Sequence, residues 1–220
     1  MDKLALKLAN RIALELSFSD ERKQVIEYGL IAIFQSILIL SFVLVLGAIL
    51  NIFMEAVILS FAVSILRKYS GGTHASTSMS CALVSVVFCL GGGLLMRSIS
   101  ETGILPVYLY AIDSIVFIFA FIISLRNAPV DSPNKPIRTE RKKHRMKMTT
   151  LVILSFYFLI SLILLYQSRS PIFVSWLLCL LLSVIWQVSS LTKPGKIVLE
   201  GLDHLIGKTF TKGGHYNEKN

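Results

Sequence analysis

His74 and Cys81 stand seven residues apart in a polar stretch that separates two apolar runs, Arg67-Lys68-Tyr69-Ser70-Gly71-Gly72-Thr73-His74-Ala75-Ser76-Thr77-Ser78-Met79-Ser80-Cys81. A cysteine attacks a peptide carbonyl as its thiolate, and a nearby histidine generates and stabilises that thiolate. The pair therefore points to cysteine-peptidase chemistry; the competing reading is two packed or hydrogen-bonded polar residues with no reaction to perform. On one unbroken helix the two would share a face yet stand roughly 10 Å apart along the axis, too far for proton transfer. The spacing thus predicts a break. Gly71-Gly72 lets the preceding chain fold back, and Ser76, Thr77 and Ser78 are N-cap candidates. A helix starting at Ser76 to Ser78 puts Cys81 in its first turn, where the positive helix end favours a thiolate. The backbone N–H groups there could face a developing oxyanion, and His74 would come within hydrogen-bond reach of the sulfur, at least with substrate bound.

The other reactive residues carry weaker signals. Cys89 and Cys179 lie inside apolar runs and read as packing residues, while His144, His204 and His215 fall in basic or tail segments. Glu55 and Asp113 are acids inside otherwise apolar stretches. Such residues are functional candidates, against the alternative that each pairs with a base or sits at a helix end; Asp113 is carried as a site-lining candidate. Neither supplies an evident third member of a triad. The three cysteines cannot all pair and show no metal-ligand spacing, so no metal and no cofactor is expected.

The elements that must hold this stretch are membrane helices. Of the 220 residues 54% are hydrophobic and only 16% charged, against about a quarter charged in soluble domains. Apolar runs predict six spans, at about 28–46, 52–68, 79–96, 104–125, 149–167 and 171–191, each able to cross about 30 Å of hydrocarbon. Residues 1–24 read as an amphipathic helix in the membrane interface: Leu4, Leu8, Ile12 and Leu16 recur every four residues beside Ala5, Ala9 and Ala13, with Lys3, Lys7 and Arg11 on a neighbouring stripe. This segment has no apolar core followed by a small-residue cleavage site and is not expected to be a signal peptide. The fold class is all-α, a polytopic membrane protein with one integral membrane domain over 1–191 and a tail at 192–220, in which Ile197 to Ile206 could form a short surface helix.

Basic residues set the orientation. Twenty of the 22 lysines and arginines fall in the N-terminal segment, the polar stretch, the loop from Arg126 to Met148 and the tail, and two, Arg97 and Arg169, in the alternate loops. The positive-inside rule then places both termini, the polar stretch and the basic loop in the cytoplasm. The same reading explains the +9 net charge by topology and membrane-lipid headgroups, with no need for nucleic acid.

The pattern Arg67-x₄-Gly72-x-His74-x₆-Cys81 between two apolar spans resembles the accessory gene regulator B family, membrane cysteine endopeptidases of Gram-positive quorum sensing. Ala128-Pro129-Val130-Asp131-Ser132-Pro133-Asn134-Lys135-Pro136-Ile137, followed by Arg141-Lys142-Lys143, looks like that family's Ala-Pro to Lys-Pro-Ile segment after the fourth span. The likeness extends to length and span spacing, and so to nearly the whole chain. It implies Cys81 as nucleophile and His74 as general base, with Arg67 and Gly72 matching signature positions, in a multi-pass cell-membrane enzyme. The implied reaction is cleavage of a small amphipathic propeptide on its C-terminal side through an enzyme thioester, then closure of a thiolactone or lactone ring. The family also suggests a homodimer. Ser70-Gly71 and Met79-Ser80 fill its variable positions and are expected to bear on substrate choice.

A transporter or exporter of a small solute or peptide is the competing class, and a membrane scaffold a third. A transporter more often has broken helices in matched halves, whereas here polar residues concentrate beside Cys81; a scaffold needs neither His74 nor Cys81. The charge asymmetry yields a direct check: reporter fusions after Lys68, Lys143 and Lys212 are expected to report cytoplasm, and fusions near Glu101 and Ser168 the outside. A cytoplasmic signal near Glu101 would mean that the third span does not cross.

Overall fold

A computed structural model describes residues 2–16, 18–72, 78–130, 139–198 and 201, with backbone only at 2, 3, 21, 32 and 78–81. The described residues form α1 (Asp2–Glu15), α2 (Asp20–Ile49), α3 (Phe53–Ser70), α4 (Ser78–Ser100), α5 (Pro106–Asn127), α6 (Glu140–Tyr166) and α7 (Pro171–Ser189). The fold is all-α, as expected; among the described residues the one β-type pairing is an isolated bridge between Gly71 and Val130. Helices α2, α4, α5, α6 and α7 are long and apolar enough to cross a membrane. The other span expected from sequence falls on α3, whose 18 residues include Glu55, Arg67 and Lys68; these charges keep it from qualifying on composition.

Local sequence explains most boundaries. α5 and α7 each open on proline, whose fixed φ and missing N–H suit the first helical position. α2 stops where Asn51 takes a left-handed φ of 58°, a conformation asparagine tolerates, and Ile52 N–H closes back on the Gly47 carbonyl at 2.8 Å. α6 departs from expectation. The apolar run suggested a start at 149, but the helix begins at Glu140 and takes in Arg141, Lys142, Lys143, Arg145 and Lys147. Lysine, arginine and glutamate are good helix formers, and Lys143 pairs with Glu140 at 2.9 Å. Hydropathy marked where the apolar part starts, not where the helix starts.

α7 is the axis of the bundle. Eleven of its 19 residues are buried, and it packs against α3, α4, α5 and α6. α1 lies on α2 through Ala5, Ala9 and Ala13, while Leu4, Leu8 and Leu16 stay exposed. The alanine stripe is the packing face, because alanine lets two backbones approach closely; the leucine stripe is free for another medium. In lipid, apolar helices gain little by leaving the tails for one another, so close packing and interhelical polar contacts carry more of the association. One such contact is Tyr157 donating its hydroxyl to the Ala62 carbonyl, 3.1 Å, tying α6 to α3.

A stronger tie joins α3, α4 and α7. The carboxylate of Glu55, 2% exposed, meets Arg97 Nη1 at 3.0 Å and accepts from Ser175 Oγ at 2.9 Å. Glu55, an acid of open role in the sequence, thus has a base as partner. Removing one member of a buried pair costs about 3–5 kcal/mol, less here because Arg97 is 37% exposed. Arg97→Met is therefore expected to lower the detergent melting temperature by several degrees, and the double variant Glu55→Gln/Arg97→Met to lose less than Arg97→Met alone. Equal losses would show that the charge on Glu55 contributes nothing.

Candidate functional site

α3 ends at Ser70, whose residue is wholly buried, and the chain leaves it through two glycines with left-handed φ, 71° at Gly71 and 129° at Gly72. Glycine has no Cβ to oppose this backbone. Space requires it too: a Cβ on Gly71 would overlap the Val130 carbonyl oxygen, and one on Gly72 would lie 2.6 Å from Ser190 Oγ. The non-helical backbone expected at Gly71-Gly72 is therefore present; the chain between His74 and Ser78, where the seven-residue spacing demands a break, lies outside the described residues.

Two segments distant in sequence close on this turn. Val130 N–H, just beyond α5, donates to the Ser70 carbonyl at 2.9 Å. From α7, Gln187 Nε2 donates to Ser70 Oγ at 2.9 Å and to the Gly71 carbonyl at 2.8 Å. Asn127 Nδ2 donates to the Leu191 carbonyl at 3.0 Å, and Ser190 Oγ to the Gln187 carbonyl at 2.7 Å. The two sequence signatures are thereby joined in space, since the Ala128-Pro129-Val130 start of the second is hydrogen-bonded to the Ser70-Gly71-Gly72 part of the first.

Of the residues singled out in the sequence, Arg67 lies one turn before Gly71, half-buried, and its carbonyl accepts the Gly71 N–H at 3.0 Å. Gly72 is buried in the turn. α4 is described from Ser78, so Cys81 is the fourth residue of its described part. His74 and the side chains of Ser78 and Cys81 lie outside the described residues, as do Asp131 to Ile137 of the second signature and most of the tail; 193–198 are helical. Cys89 and Cys179 are buried in one apolar cluster, Cys89 accepting a 3.4 Å contact from Ser60 Oγ, which suits the packing role read for them.

Asp113 is not brought to this turn. It is 1% exposed, with Oδ1 unpartnered among the described residues, but it precedes the end of α5 at Asn127 by 14 residues, about 21 Å of helix rise. Three contributors escaped the sequence reading: Gln187, Asn127 and Ser190. The available signal was Gln187, the one carboxamide in the run from Pro171 to Leu191. Ser70 and Gly71, read as variable positions bearing on substrate choice, supply hydrogen-bonding groups of the turn.

Residues 5–191 match the family model for accessory gene regulator B. Two AgrB-like proteins of Clostridium perfringens, from strains SM101 and 13, are each 36% identical over 211 residues, covering 94% of this chain and 99% of theirs. An AgrB-like protein of Halalkalibacterium halodurans is 24% identical over 223 residues, covering 100% of this chain and 99% of its own. No solved structure matches.

The turn's geometry separates its two glycines. A side chain at Gly71 meets backbone, which cannot yield, whereas one at Gly72 meets the rotatable Ser190 hydroxymethyl. Both carry the left-handed backbone cost, on the order of 1–2 kcal/mol. Gly71→Ala is expected to destabilise the protein more than Gly72→Ala in thermal melts, and Ser190→Gly to recover part of the Gly72→Ala loss but none of the Gly71→Ala loss.

Proposed function

The chain belongs to the accessory gene regulator B family, and from that premise we propose that it is a membrane cysteine endopeptidase that processes a quorum-sensing propeptide. The observation that carries the reading is the family match over residues 5–191, which takes in both His74 and Cys81. A straight helix through both would hold His74 and Cys81 about two turns apart, so the reading requires a break between them, downstream of the Gly71-Gly72 turn.

The chemistry follows from the two side chains. His74 takes the thiol proton of Cys81, and the thiolate adds to the carbonyl carbon of the scissile peptide bond. N–H groups at the start of α4 stabilise the oxyanion. The intermediate collapses by breaking the C–N bond; imidazolium gives its proton to the departing amine, and the propeptide's N-terminal part stays on the enzyme as a thioester. A thiol or hydroxyl of that peptide then attacks the thioester carbonyl, His74 accepting its proton. The ring closes as thiolactone or lactone, and the Cys81 thiolate leaves.

The substrate in this reading is a small amphipathic propeptide presented at the cytoplasmic membrane surface, where both termini and the site would lie. Basic residues on the first turns of α6 would hold anionic lipid headgroups or an acidic propeptide tail. A homodimer is part of the same proposal.

The test is co-expression with a candidate propeptide, reading truncated peptide by mass spectrometry. Cys81→Ala and Cys81→Ser are expected to abolish truncation, while Cys89→Ala and Cys179→Ala keep it, since both lie in the apolar core. Alkylating reagents should reach Cys81 first. Full activity in either Cys81 variant would end the peptidase reading.

A further inference from the structure

We propose that Gln187 is a positioning residue of the cleavage reaction, its carboxamide holding the Ser70–Gly72 turn from which the chain enters the His74–Cys81 segment. This rests on the peptidase reading above. Gln187 is 0% exposed on α7. Its amide nitrogen has two hydrogens to give, and both are committed, to Ser70 Oγ and to the Gly71 carbonyl. The Gly71 carbonyl can only accept, so the NH₂ group must face it and the amide cannot be turned end for end.

The choice of a carboxamide here argues for more than packing. Oε1 is buried with no partner among the described residues. Burying a carboxamide costs more than burying an apolar side chain, and Val184, Ile185, Trp186 and Val188 around it show what the span holds where only packing is needed. Positions that break a local rule at such a cost concentrate at functional sites. The amide also sits directly on the turn, since a Cβ on Gly72 would lie 3.4 Å from Nε2. Gly72 is two residues before His74, a span of at most about 7 Å, so a shift of the turn is carried into the approach of the imidazole. Gln187 acts through the turn and touches no reacting atom.

Gln187→Met keeps the length and removes both donors; Ser70→Ala removes one acceptor. Full-length protein in nanodiscs would be followed by propeptide cleavage kinetics, by thermal unfolding and by iodoacetamide labelling of the Cys81 peptide across pH. Gln187→Met is expected to lower kcat about 10- to 100-fold, the scale of a reacting group displaced by about 1 Å, with KM within roughly twofold. It should also move the pH midpoint of Cys81 labelling, and Ser70→Ala should act in the same direction more weakly. Wild-type kcat and labelling in folded Gln187→Met would overturn the proposal. So would a loss of activity that only tracks loss of folded protein while the folded fraction labels as wild type. If Gln187→Met does not fold, Ser70→Ala is judged by the same two readouts. If wild-type protein cuts no propeptide, the peptidase reading fails; the labelling comparison then stands alone, an altered midpoint supporting control of Cys81 by the turn and an unaltered one overturning it.

Discussion

A helix that stops against other apolar helices leaves carbonyl groups that water would otherwise serve, and in a low-dielectric surrounding each one left bare is expensive. α3 stops in this way at Ser70. Its last carbonyl is taken by Val130 N–H, and the next, on Gly71, by Gln187. The hydrogen-bonding demand of one interrupted backbone thus dictates that the segment leaving α5 returns to α3, and that α7 carries a carboxamide near its end. The turn also has to be glycine on both counts, conformation and space. The change of direction at the end of α3 is thus held by contacts from the ends of α5 and α7.

The opposite end of the same helix pair is fixed by a different device. Glu55 near the start of α3 accepts from Ser175 near the start of α7 and pairs with Arg97 at the end of α4. Along α7, Ser175 and Gln187 are about 18 Å apart by helix rise; along α3, Glu55 and Ser70 are about 22 Å apart. Between these ties the contact is apolar, through residues such as Leu59, Ala62, Leu66, Leu177 and Leu181. Apolar contact within lipid is permissive about register. Two polar ties at separated heights are not, because a one-residue slip rotates a helix by about 100° and would take Gln187 off the turn and Ser175 off the carboxylate together.

This division explains what could be read from the sequence. Hydrophobic runs located α2, α4, α5 and α7 to within a few residues of their apolar parts, because span length is set by the bilayer and proline marks two of the starts. They missed the start of α6, since its first two turns are basic yet still good helix formers. At the site, the turn at Gly71-Gly72 was legible in the glycine pair itself. Its partners were not. Nothing in a linear reading connects Gln187 to Ser70 across 117 residues; a lone glutamine in a span says that some polar group must face it and leaves open which. Asp113 gave the same kind of signal and led to a different place, along α5 from the turn.

α3 shows how charge number and charge position can disagree. Three charged residues in 18 are too many for a span judged by composition, yet Glu55 lies in the first turn and Arg67 and Lys68 in the last, with no charge from Ala56 to Leu66. Eighteen residues rise about 27 Å, close to the roughly 30 Å of a hydrocarbon core. Its buried residues, Glu55, Ala56, Leu59, Ala62, Leu66 and Ser70, run along one side for its full length, so it is packed into the bundle from end to end. Arg67 and Lys68 have stems long enough to snorkel toward headgroups, and Glu55 is charge-paired inside the protein. The case for a sixth crossing therefore rests on where the charges sit. With α4 and α5 both long and apolar enough to cross, the Ser70–Gly72 turn falls on the same side as the basic first turns of α6, and a crossing α3 sets the chain entering α3 on the opposite side.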